Sequence, residues 1–246
     1  MSDVEAFRAL HVPGKPLVLY NIWDPGSAKA VAAAGAPALA TGSYGVAEAF
    51  GAADGEKLPF ADVIANLERI VAVVEVPVSL DLESGYGSDP AAVRASVQAA
   101  RDAGAVGINM EDRLPGEERP LPVGEAAERV AAAAASGLFV NARTDLFRQM
   151  APNAALVEDC IARAHAYAEA GASGLFVPFL TDQEAVRKIC EASSLPINVT
   201  AKPELGTLAD IAALGVARIS YGHQPWMWAM QKLKADAEAI YATDRN

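Results

Sequence analysis

The sequence predicts a closed (β/α)₈ barrel, and three observations carry that prediction. The chain has 246 residues, about the usual length of one such barrel, roughly 250 residues. A phrase recurs in which a helical stretch ends in Ala-Gly or Leu-Gly and a short apolar run follows. The apolar runs also carry polar residues at one end only, and in such barrels all those ends gather on one face.

The elements follow in order. A first strand is expected near 17–21 and runs into Asn21-Ile22-Trp23-Asp24-Pro25-Gly26-Ser27. An open doubly wound sheet would place a G-x-G-x-x-G turn there, and this is not one. Ala34-Gly35-Ala36 then precedes a strand near 38–41. Strand three starts at proline, Pro77-Val78-Ser79-Leu80-Asp81, and a helix is expected over Ala91–Ala103. Ala103-Gly104-Ala105 introduces strand four near 107–110, and strand five falls near 138–142. A helix over Ala154–Ala170 ends in Ala170-Gly171-Ala172 before strand six, near 174–177. A helix over Asp182–Ala192 leads to strand seven, near 197–200, and Leu214-Gly215-Val216 leads to strand eight, near 217–220. An amphipathic helix with Trp226, Trp228 and Met230 closes the chain near Pro225–Tyr241. Glycine after a helix takes the left-handed C′ position at little cost. Continuous apolar runs fit strands covered on both faces, as in parallel sheets. No linker divides residues 1–246, so one domain is expected.

Composition narrows the function. Hydrophobic residues make up 52% of the chain and charged residues 21%, with a net charge of −11. That is enough apolar material for a large core. The negative balance, with no Lys/Arg cluster, argues against nucleic acid and against anionic lipid. Cys160 and Cys190 have no partner at metal-ligand spacing and read as reduced, buried thiols of a cytoplasmic protein. The acidic N-terminus lacks a signal-peptide layout, and the uncharged stretch Val130–Asn141 is too short to span a bilayer. His165, His11 and His223 are weak signals, and no Ser-His-Asp or Cys-His arrangement is visible.

The polar strand ends are the candidate site. They are Asn21, Trp23 and Asp24; Thr41-Gly42-Ser43-Tyr44; Asp81-Leu82-Glu83; Asn109-Met110-Glu111-Asp112; Asn141-Ala142-Arg143-Thr144-Asp145; Asn198 and Thr200; and Ser220-Tyr221. Asp81, Glu83 and Glu111 would repel one another at a barrel mouth unless a cation compensates. Oxygen ligands without His or Cys suit Mg²⁺ or Mn²⁺ rather than Zn²⁺. Arg143 can grip a substrate carboxylate with two prongs, or pair with Asp145 or Glu111.

These phrases resemble the isocitrate lyase / phosphoenolpyruvate mutase superfamily. The matching segments are Trp23-Asp24-Pro25-Gly26-Ser27-Ala28, Asp81-Leu82-Glu83-Ser84-Gly85-Tyr86-Gly87, Gly107-Ile108-Asn109-Met110-Glu111-Asp112, Asn141-Ala142-Arg143-Thr144-Asp145 and Ala170-Gly171-Ala172-Ser173-Gly174-Leu175-Phe176. The resemblance implies a Mg²⁺-dependent barrel acting on 2-oxo acids or their enolates, cleaving or forming C–C or P–C bonds. It implies that Asp81 binds the metal directly and that Glu83 and Glu111 hold metal-bound water. Arg143 would clamp the substrate carboxylate and the developing enolate oxygen. Backbone groups of Ser43, Tyr44 and Gly45 would hold the other carboxylate end, and Asp54 matches a family aspartate near the site. Trp23 and Asn198 join the expected substrate contacts. A homodimer or homotetramer is implied, with the last helix exchanged between subunits. The loop Arg113–Pro120 has no cysteine, unlike isocitrate and methylisocitrate lyases, and no asparagine, unlike the phosphonate mutase. Three readings follow: a lyase or hydrolase for a small 2-oxo or 2-hydroxy dicarboxylate, a P–C bond enzyme, or a 2-oxo-acid binding protein without turnover.

Overall fold

A computed structural model describes residues 3–243. Eight strands alternate with helices: β1 Leu17–Leu19, β2 Leu39–Ala40, β3 Val78–Asp81, β4 Gly107–Glu111, β5 Phe139–Arg143, β6 Gly174–Val177, β7 Ile197–Thr200 and β8 Arg218–Ser220. The helices are α1 Asp3–Ala9, α2 Pro25–Ala33, α3 Ser43–Ala49, α4 Phe60–Val71, α5 Pro90–Asp102, α6 Val123–Ala134, α7 Ala154–Glu169, α8 Gln183–Ala192, α9 Leu208–Ala213 and α10 Gln224–Thr243. All seven ladders are parallel, in the order β1-β8-β7-β6-β5-β4-β3-β2. The ring closes between β1 and β2 through an isolated Ile22–Thr41 bridge, with Ile22 N–H donating to Ala40 O at 2.9 Å and Gly42 N–H to Ile22 O at 3.0 Å. This is the expected (β/α)₈ barrel.

The recurring glycines act as their position predicts. Gly35, Gly104, Gly171 and Gly215 all have φ between 91° and 95°, a region open to glycine and strained for other residues. Each ends a helix and redirects the chain into the next strand. Strand interiors are apolar on the helix-facing side: Leu80, Ile108, Val140, Leu175, Val199 and Ile219 are nearly inaccessible.

The N-terminal end of the barrel is plugged by α1. Phe7 meets Phe139 edge-on at 5.3 Å, and His11 stacks on Phe139 at 4.2 Å. Burial, with Arg218 nearby, pushes the His11 imidazole down to about 3, so His11 is a neutral packing residue remote from the mouth. Cys160 is buried, Cys190 half-buried, and both are free thiols pushed up to about 12 by burial. No described helix is long and apolar enough to cross a membrane. The last helix packs on the barrel at its inner end, where Trp226 meets Trp23, whereas Leu233 and Tyr241 in its outer half are 62% and 67% exposed.

Candidate active site

The C-terminal ends of the strands surround a cavity of about 390 Å³. Asp81, Asp54, Ser43 and Tyr44 line it on the β2–β3 side, and Arg143, Arg148, Phe179 and Lys202 line it on the β5–β7 side. Asn21 braces the seam: its amide donates to Thr41 O at 2.9 Å, and its oxygen accepts from Tyr221 N–H at 3.1 Å and Gly222 N–H at 2.8 Å.

Asp81 is held rigidly. Its N–H donates to Thr41 Oγ1 at 2.8 Å, and its Oδ2 accepts from Ser43 N–H at 3.0 Å. Burial raises its carboxyl above the usual range, against the pull of Arg143. The Ser43 amide is thereby committed to Asp81 and is not a free donor for substrate. The Ser43 side chain still faces the cavity.

Arg143 is gripped from two sides. Its Nη1 lies 2.9 Å from Glu111 Oε2, its Nε 2.7 Å from Asp145 Oδ1, and its Nη2 3.0 Å from Asp145 Oδ2. Burial disfavours its charge, but Glu111 and Asp145 hold it more firmly protonated than an ordinary arginine. A guanidinium has five N–H donors, so two are left for a ligand. Arg113 adds contacts of 3.3 Å to Glu111 and 3.1 Å to Asp145.

The three acids do not form a ready-made ligand cluster. Among the described residues no group of three or more His, Cys, Asp or Glu side chains is placed to hold one metal ion. Glu83 accepts from Glu56 N–H at 2.6 Å and from Tyr86 OH at 2.9 Å. Glu111 lies behind Arg143, paired with it. Only Asp81 reaches the cavity wall. The donor chemistry still fits a hard cation held by one direct carboxylate: the set is all oxygen, and burial together with the neighbouring Asp54 and Asp81 charges raises Glu83 to about 7. Excess negative charge of this kind is what a divalent cation relieves.

Trp23, Gly45 and Asn198, expected to contact substrate, are not among the residues that line this cavity. Trp23 packs edge-on against Trp226 at 5.2 Å and faces a surface groove with Tyr20 and Trp228. Gly45 sits against both tryptophans, where a Cβ would come within 3.2 Å of Trp226 Cβ, so its smallness serves packing. Asn198 is buried beneath the mouth, donating to Ser220 Oγ at 3.2 Å. Strand-end position alone does not say which way a side chain turns.

Sequence reasoning missed Glu56. Its Oε1 accepts from Ser84 N–H at 3.1 Å, Ser84 Oγ–H at 2.6 Å and Tyr86 N–H at 3.0 Å. With the reverse bond from its own N–H to Glu83, it joins the Asp54 loop to the Glu83 loop. Glu56, Glu83 and Tyr86 are the three non-glycine residues with positive φ among the described residues, at 58°, 49° and 47°. The joint holds them in that sparsely populated region. Glu56→Ala should lower stability by about 2–3 kcal/mol, because three part-buried donors lose their acceptor. Glu56→Gln keeps an accepting oxygen and should lose about 1 kcal/mol or less. Urea denaturation checks the pair, and equal losses would disprove the role given to the three bonds. The Asp54-Gly55-Glu56 spacing was a visible signal, since the acid lies two residues beyond the family aspartate.

A barrel with acid on one wall of its mouth and a doubly anchored arginine on the other defines an enzyme of the isocitrate lyase / phosphoenolpyruvate mutase superfamily. The phosphoenolpyruvate phosphomutase profile matches residues 7–241, and the chain belongs to that family. It is 30% identical to an oxaloacetate decarboxylase of Paraburkholderia xenovorans (strain LB400), covering 91% of this chain and 77% of that protein. A crystal structure of a provisionally described phosphonomutase from Burkholderia cenocepacia J2315 is 47% identical with a TM-score of 0.93, covering 96% of this chain and 99% of that one. A phosphonopyruvate hydrolase crystallised with oxalate and Mg²⁺ shares the fold, with 23% identity, a TM-score of 0.87, and coverage of 99% and 88%.

Proposed function

We propose that the protein is a Mg²⁺-dependent lyase that breaks a C–C bond, by direct cleavage, hydrolysis or decarboxylation, in a small 2-oxo or 2-hydroxy dicarboxylic acid through an enolate. The observation that carries the reading is that Asp81 and Arg143 line one cavity on facing sides. Asp81 would hold the ion, with Mn²⁺ as a substitute, and Glu83 and Glu111 would act through water. The ion supplies a Lewis acid that stabilises charge on the substrate's oxygens. Arg143 would hold the substrate carboxylate and the developing enolate oxygen with its two remaining donors. Asp54, exposed at the rim, is the mobile-proton candidate, and the Tyr44 and Gly45 amides, unpaired among the described residues in the first turn of α3, are candidates for the other carboxylate end. The oxaloacetate decarboxylase relative and the oxalate complex of the phosphonopyruvate hydrolase support this class of substrate.

The likeness to a phosphonomutase supports a second reading, a P–C bond enzyme, which phosphorus NMR on phosphonopyruvate distinguishes by loss of the P–C signal. We read residues 1–246 as one domain of a homodimer or homotetramer, with the exposed apolar side chains of outer α10 as the support.

The test is thermal denaturation with Mg²⁺ and oxalate, followed by turnover on a panel of 2-oxo acids. A ligand at a hundred times its Kd stabilises by about 2.7 kcal/mol. Asp81→Asn should lose the Mg²⁺-dependent shift. No shift in the native protein, or an unchanged shift in Asp81→Asn, would overturn the assignment of Asp81. A shift without turnover on the panel would leave a binding protein.

A further inference from the structure

We propose that Lys202 and Arg148 select a substrate with a second anionic group distal to its 2-oxo-acid head; this rests on the reading that the head lies between Asp81 and Arg143. Arg113, Arg143 and Arg148 all pair with just two carboxylates, Glu111 and Asp145. Three positive charges against two negative leave one positive charge over. The loosest member is Arg148, whose Nη1 is 3.6 Å from Asp145 Oδ2. Its guanidinium is instead kept on the cavity wall by Phe179, whose ring centre lies 5.7 Å from Arg148 Cζ and 5.6 Å from Arg143 Cζ. Both distances are within the reach of a cation–π contact.

Lys202 follows β7 and lines the same cavity. Ion pairs to lysine among the described residues involve Lys188, Lys232 and Lys234, and none involves Lys202. It is close enough to His223 to oppose protonation there, after burial. The β5–β7 wall is therefore positive, while Asp54 and Asp81 make the β2–β3 wall negative. A chain with net charge −11 repels anions in general, so a local unneutralised positive wall gives an anion a preferred place and orientation. The Ser43 amide cannot take that anion because it is bonded to Asp81, and the Tyr44 and Gly45 amides are neutral donors on the acidic wall, so the charged wall has the stronger hold on it. A carboxylate and a phosphonate share the chemistry this wall would recognise.

The test uses the Mg²⁺-loaded full chain and reads affinity, by calorimetric titration or as KM where the ligand is turned over, for oxalate, oxaloacetate, its distally neutral isostere 2-oxosuccinamate, and phosphonopyruvate. The wild type should bind oxaloacetate at least about tenfold more tightly than the amide, the scale of one charge-assisted contact. Lys202→Gln and Arg148→Gln should each shrink that ratio severalfold and leave oxalate affinity within about twofold. A larger loss for phosphonopyruvate than for oxaloacetate marks a phosphonate as the preferred group, and the reverse marks a carboxylate; either supports the selecting role. Unchanged ratios with intact oxalate binding overturn the role of Lys202 and Arg148 while leaving the proposed function standing. Failure of the wild type to bind oxalate overturns that function, and this inference with it.

Discussion

Arg143→Met is expected to cost both chemistry and stability. The loss of stability should be about 3 kcal/mol, near the lower end of what breaking a buried ion pair costs. The lower end applies because Asp145 keeps Arg113 at 3.1 Å, whereas Glu111 keeps Arg113 at 3.3 Å. Arg143→Lys preserves the charge but cannot reach Glu111 and both Asp145 oxygens together. It should fold nearly as well yet lose roughly 10²–10³-fold in turnover, the cost of removing an aligned donor to developing negative charge. Urea denaturation and Mg²⁺-dependent turnover separate the two effects. Full activity in Arg143→Lys would exclude a two-pronged role.

The second large effect belongs to Asp112. Its Oδ1 accepts from Asp145 N–H at 3.0 Å, and its Oδ2 from Arg163 Nη1 at 3.0 Å and Tyr167 OH at 2.8 Å. All three residues it ties are buried. Burial raises its carboxyl, and Arg163 works against that. Asp112→Ala strands the Arg163 charge and unties the turn that carries Asp145. The expected loss is about 3–5 kcal/mol, roughly 6–20 °C in Tm at 2–4 °C per kcal/mol for a chain of this size. Asp159→Ala, which removes the other, more exposed partner of Arg163 at 3.3 Å, should cost about 1 kcal/mol or less. Calorimetric melting of the two variants tests the contrast, and similar melting points would refute a structural role for Asp112.

The barrel was legible because its signals are local and repeated. Gly35, Gly104, Gly171 and Gly215 mark helix ends by backbone chemistry, and every strand falls within two residues of its expected place. The site was legible only by residue type. Asp81 and Arg143 could be named from their strand-end positions, but which acid faces the cavity depends on partners distant in sequence. Glu83 turns to Glu56 and Tyr86, and Glu111 turns to two arginines. Trp23 is drawn away by Trp226, more than two hundred residues along the chain. Arg218, fully buried in β8 with contacts to Asn109 at 3.2 Å and Ser220 at 3.3 Å, was hidden inside a run that reads as apolar. Periodicity reports which segments are covered and is silent on which polar groups meet inside them.

The seam between β1 and β2 has a mechanical consequence. Elsewhere the hoop is fastened by continuous ladders, from two residue pairs between β2 and β3 to five between β4 and β5. At the seam it is fastened by a single bridge and the Asn21 brace. A ring under thermal stress yields at its thinnest link. Breathing of this barrel is therefore expected to begin beside Gly42 and Ser43, on the acidic wall of the cavity. The opposite wall, where three arginines share two carboxylates, is more heavily tied, so amide exchange should be faster at Gly42 than at Asp145, with one hinge side and one anvil side to the mouth.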